Sequence, residues 1–113
     1  MSSANHDSDL GSDLGNMDAG TLQRLFASGE ASPLEATRAA LARIERFNDA
    51  VNAYVHVDRE GAEAAAKASA RRWGQCKPLS AIDGIPVSMK DLAEVAGMPA
   101  REGSLTTASA LCE

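Results

Sequence analysis

The chain has 113 residues and a net charge of −5, the size of one small domain. Hydrophobic residues make up 44% of it, but 22 of them are alanine and only 20 are Leu, Ile, Val or Phe. Large apolar side chains are therefore short of what a self-sufficient core uses, and the composition suits a piece of a larger protein. A pI near 5.0 with no window dense in Lys or Arg argues against a phosphate-binding surface, and no stretch approaches membrane-spanning length. The expectations are no nucleic acid, no membrane and a cytoplasmic location. Cys76, Cys112, His6 and His56 have no ligand-spaced companions, so no metal or organic cofactor is expected and the thiols are read as reduced.

Met1 to Asn16 repeats Ser-Asp-Leu-Gly in a polar context and is read as a disordered leader, the domain starting at residue 18. From Asp18, Leu22, Leu25 and Phe26 follow helical spacing and Gly29 supplies a left-handed stop. Ser32-Pro33-Leu34-Glu35 then places a hydroxyl at N-cap, proline at N1 and a carboxylate at N3. Leu34, Thr37, Leu41, Ile44 and Phe47 continue as one face of a helix ending near Asn48. Val51, Ala53, Val55 and Val57 alternate with Asn52, Tyr54 and His56, which predicts a strand with His56 on its polar face. Asp58 caps a further helix through Trp73, with Ala62, Ala65, Ala66 and Ala70 as its contact face.

Asp83-Gly84 reads as a turn, and Ile85 to Lys90 returns to period two, with Ile85, Val87 and Met89 on one side. Asp91, with Glu94 three residues on, predicts a brief helix stopped by Gly97 and Pro99. Strand, helix and strand over residues 51 to 90 form a βαβ unit. The fold class expected is therefore α/β: N-terminal helices followed by part of a larger mixed sheet that these residues do not complete. Ligands collect at the carboxyl ends of strands in such sheets, where Lys90 stands. The residue pattern alone also suits a solvated edge lysine that discourages aggregation.

The run Leu79-Ser80-Ala81-Ile82-Asp83-Gly84-Ile85-Pro86-Val87-Ser88-Met89-Lys90-Asp91-Leu92, followed by Ala96-Gly97-Met98-Pro99 and Gly103-Ser104, resembles the N-terminal part of amidase-signature enzymes. The Ser32-Pro33 helix start and Asn52-Ala53-Tyr54-Val55 extend the resemblance, which covers roughly residues 18 to 107. It implies an amidase-signature fold and cleavage of carboxamide C–N bonds, or transfer of their ammonia, by a Ser-Ser-Lys triad. Lys90 is by this resemblance the triad lysine. The glycine- and serine-rich signature that would supply both serines is absent from these residues and belongs downstream, so the piece alone is expected to be inactive. The substrate implied for the full-length protein is a small-molecule amide; an amidase subunit of a tRNA-dependent amidotransferase is the alternative. A non-catalytic helical interaction module, or a relic, is the reading from another class.

To take a proton from a serine, the lysine amine must be neutral, whereas a free lysine has a pKa of about 10.4. Burial beside cationic or hydrogen-bonding neighbours is what shifts it that far. An unfinished sheet offers no such enclosure, so in the piece alone Lys90 is expected to be solvated and protonated.

Overall fold

The computed structural model describes residues 14–91, 93–100 and 111. Among them the chain folds into three α-helices: α1 (Ala19–Ser28), α2 (Pro33–Val51) and α3 (Arg59–Gly74), preceded by a 3₁₀ turn at Leu14–Asn16. Local chemistry sets most of the boundaries. The Asp18 carboxylate accepts the Thr21 amide at 2.7 Å, which opens α1 and holds that carboxyl below its ordinary pKa. Gly29, at φ +80°, closes the helix. Ser32 Oγ accepts the Glu35 amide and donates to Glu35 Oε1, both at 3.2 Å, and Pro33 occupies the first turn of α2. Asp58 accepts the Gly61 amide at 3.0 Å at the start of α3.

The core lies between the helices. Leu22 and Phe26 of α1, Ala31, and Ala36 of α2 are buried together with Leu14, while Met17, Leu25, Ala39, Trp73 and Ile85 pack around them. The Phe26 and Trp73 rings meet with centroids 6.1 Å apart at 60°, a tilted pair that joins α1 to α3. The face that α3 turns inward carries buried Ala66 and Ser69, with Ala62, Ala70 and Trp73 half-buried. Ala65, expected on that face, is exposed. Arg38 of α2 and Glu63 of α3 form a surface ion pair at 3.6 Å.

Four expectations are corrected here. Leu14, assigned to the polar leader, is 2% exposed and belongs to the core; the rest of that leader, residues 1–13, lies outside the described residues. The strand expected from Val51 to Val57 does not form. Instead α2 runs three residues beyond the expected Asn48 and reverses at Asn52, whose φ of 52° and ψ of 41° place it in the left-handed region. The Asn48 carboxamide then donates to the Tyr54 carbonyl at 2.9 Å and accepts its amide at 2.8 Å, so a side chain fills the two backbone groups that a neighbouring strand would fill. Nor does a strand form over Ile85–Lys90, and the helix expected from Asp91 is a turn in which the Ala93 amide donates to the Lys90 carbonyl at 2.9 Å.

The β pairing seen among the described residues is confined to isolated bridges, an antiparallel one between Pro99 and Leu111 and one at Ala96. A strand persists only when neighbours satisfy its edges. Val51, Val55, Val87 and Met89, the apolar side of both segments, stay exposed. The described residues are thus the helical part of the expected architecture, and the βαβ unit is not formed in them.

Candidate functional site

Lys90 is exposed and lines an open groove of about 820 Å³. One wall comes from Ala53 to His56 and the other from Ser88 to Asp91, with Ala93, Val95, Met98 and Pro99 also in the lining. Each wall has its own anchor. The Asn48 carboxamide fixes Tyr54 and thereby the first wall. On the second, the turn at Lys90–Ala93 and another in which the Met98 amide donates to the Val95 carbonyl at 3.0 Å, with Gly97 at φ +79°, bend the chain around the groove.

The structure brings His56 into the same groove as Ser88, Lys90 and Asp91; its exposure agrees with the sequence reading, but its neighbours were not foreseen. Ser88 and Lys90 share the groove without a hydrogen bond to each other, as their two-residue offset suggests. Gly103 and Ser104 of the family motif lie outside the described residues, as does Cys112, while Cys76 is a free, exposed thiol. Among the described residues, no group of three or more His, Cys, Asp or Glu side chains could hold a metal ion. No helix among them is long and apolar enough to cross a membrane.

The residue that sequence reasoning missed is Asp83, taken only as part of a turn. It is buried, and its carboxylate accepts hydrogen bonds from three residues. Arg72 grips it with a fork, Nη2 to Oδ1 at 2.6 Å and Nε to Oδ2 at 2.7 Å. Ser69 Oγ donates to Oδ1 and the Leu79 amide to Oδ2, each at 2.9 Å, and the Trp73 indole donates to the Asp83 carbonyl at 2.8 Å. The Arg72 bonds, helped by the Leu79 and Ser69 donors, hold this carboxyl far below the usual carboxylate range against the opposing effect of burial. Asp83 in return raises the Arg72 pKa. Ser69, Arg72 and Trp73 are spaced to share one side of α3, but the partner 11 residues beyond Arg72 has no local sequence signal.

Gly84 follows at φ +85°, and a Cβ there would meet the Ser69 hydroxyl and stand 2.7 Å from Pro33. Gly84→Ala is therefore expected to lower stability by about 2–4 kcal/mol, combining the left-handed penalty with overpacking against a helix start. Urea unfolding of the two proteins checks this; a change below about 0.5 kcal/mol would show that the contact relaxes freely.

Comparison with known proteins bears on what the groove belongs to. The family described as Amidase matches residues 35–111, about two thirds of the chain, including Asp83 and Lys90. A protein of Salinispora arenicola, named as the A subunit of glutamyl-tRNA(Gln) amidotransferase, is 42% identical over 92 residues, which are 81% of this chain and 19% of that protein. Its namesake in Myxococcus xanthus is 47% identical over 70% of this chain and 16% of its own length, and that of Streptomyces coelicolor 38% identical over 82% and 19%. The chain thus spans about a fifth of the length of these relatives. No solved structure matches it.

These names overturn one expectation. A free small-molecule amide as partner, with no nucleic acid, does not fit relatives named as subunits of an enzyme of glutamyl-tRNA(Gln). The physical reason is that the charge of one segment reports only on that segment, and phosphate contacts can be made elsewhere in an assembly. Both the matched family, over most of the chain, and the identity of these relatives lead to one assignment: this chain belongs to the amidase family.

Proposed function

We propose that this chain is the N-terminal segment of an amidotransferase A subunit that works in the cytoplasm on glutamyl-tRNA(Gln), with Lys90 as the proton relay of its amide-cleaving triad. The observation that carries this reading is the 42% identity to an A subunit over 81% of the chain, in a match that runs through the Lys90 segment. The groove supports it, since Ser88, Lys90 and Asp91 line one wall of a space large enough for a small polar group.

In this mechanism a neutral Lys90 amine takes the proton of a bridging serine, which in turn takes that of the nucleophilic serine as its oxygen attacks the amide carbonyl. The C–N bond then breaks, nitrogen leaves as ammonia after receiving the proton held by Lys90, and an ester to the serine remains for hydrolysis. Both serines come from outside these residues. An ordinary lysine pKa of about 10.4 makes the neutral amine scarce at pH 7, so the remainder of the protein has to enclose a groove that is open in this segment.

The test uses the natural gene product with its partner subunits, supplied with glutamyl-tRNA(Gln), an amide donor and a nucleoside triphosphate. The triphosphate activates the glutamate carboxylate as an acyl phosphate, from which the released ammonia displaces phosphate. Amidation of the tRNA-bound glutamate is expected. Carboxamide hydrolysis at full rate with no amidated tRNA would overturn the proposal.

A further inference from the structure

The segment that carries Lys90 leaves the helical body through a point with little freedom. Asp83 is held by its carboxylate, through Ser69, Arg72 and the Leu79 amide, and by its carbonyl, through the Trp73 indole. Gly84 sits where no side chain fits, between Ser69 and Pro33 at the start of α2. Ile85 packs on the core, and Pro86 fixes its own φ near −65°. Ser69, Arg72 and Trp73 all belong to α3, so a single rigid helix holds the departing chain.

We propose that this clamp, with Asp83 at its centre, is the positioning device for Lys90, a role that rests on the reading of Lys90 as the relay lysine. From Ile85 to Lys90 the chain advances five residue steps, a reach of at most roughly 16 Å, so a tilt of about 5° at Ile85 displaces Lys90 by up to about 1.4 Å. A misplacement of about 1 Å in a catalytic constellation lowers the rate on the order of a hundredfold. None of Ser69, Arg72, Trp73 or Asp83 lines the groove. Whatever the clamp does to turnover therefore travels through the backbone, and Asp83 is a positioning residue without contact to substrate.

The experiment compares Asp83→Asn, Arg72→Lys and Leu41→Ala in the natural gene product with its partner subunits, at a temperature where each remains folded. Asparagine turns amide hydrogens toward Arg72 or Leu79, and lysine keeps the charge but loses the fork, which retains a milder variant should Asp83→Asn not fold. Leu41 is buried in α2 and makes no part of the clamp, so its truncation lowers stability without touching the take-off point. Both clamp variants are expected to lose about tenfold or more in kcat with KM for the amide donor within about twofold, and Leu41→Ala to keep kcat within about twofold.

Wild-type kcat in the clamp variants, or an equal loss in Leu41→Ala, would overturn the proposal. Lys90→Ala separates the two levels. An inactive Lys90→Ala beside normal clamp variants removes the clamp alone, whereas an active Lys90→Ala removes the relay role and the clamp's purpose with it.

Discussion

Lys90→Arg, made in the natural gene product with its partner subunits, should lower kcat by roughly 10³-fold or more while KM for the amide donor changes less than about threefold. Arginine tests the chemistry directly, because it preserves length and positive charge and differs in that its pKa above about 12 prevents it from accepting a proton. If Lys90 only steered an anion into the groove, or only kept a sheet edge soluble, arginine would serve as well. A loss confined to kcat marks an interaction made in the transition state and not in the ground state. Turnover of Lys90→Arg within about tenfold of wild type would remove proton transfer from the role of this residue, leaving the family assignment untouched.

The same distinction between local and distant chemistry decides what could be read from the sequence. The starts of α1, α2 and α3 were legible because each is fixed within one turn, by Asp18, by Ser32 with Pro33 and Glu35, and by Asp58. The end of α2 was not, since Asn52 enters the left-handed region and Asn48 reaches six residues ahead to Tyr54. Periodicity placed Phe47 on the apolar face of α2, yet it is 45% exposed with the Arg46 guanidinium 5.0 Å from its ring centre. Leu14 errs the other way, an isolated leucine among polar residues that the fold buries.

Alternation in 51–57 and 85–90 showed which residues form an apolar side, but a ladder also requires partners, and pattern within a segment carries no information about them. The candidate site divides along the same line. The motif around Gly84-Ile85-Pro86-Val87 singled out Lys90, whereas its groove neighbour His56 lies 34 residues earlier in the chain and only the fold brings them together. Asp83 stood inside the motif, but its partners Ser69 and Arg72 are joined to it by tertiary packing alone.

That packing has a measurable consequence in acid. The folded chain holds the Asp83 carboxyl far below its unfolded value of about 3.9, chiefly through the Arg72 bonds. A carboxylate depressed by folding stabilises the folded state fully above the unfolded pKa, and that stabilisation is lost as pH falls through it toward the folded one. Wild type should therefore exceed Asp83→Asn by about 2 kcal/mol in urea unfolding at pH 7, toward the low end for breaking a buried pair because the Arg72 side chain remains 32% exposed and water can reach it. The difference should narrow steadily below about pH 4, since wild type gives up the charge that the variant never had. Asp18, also depressed by its helix-cap bonds, is present in both proteins and cancels from the comparison. Parallel stability curves from pH 7 to about pH 3 would mean that the fork around Asp83 contributes through shape alone, and that its charge is not what fastens the Lys90 segment to α3.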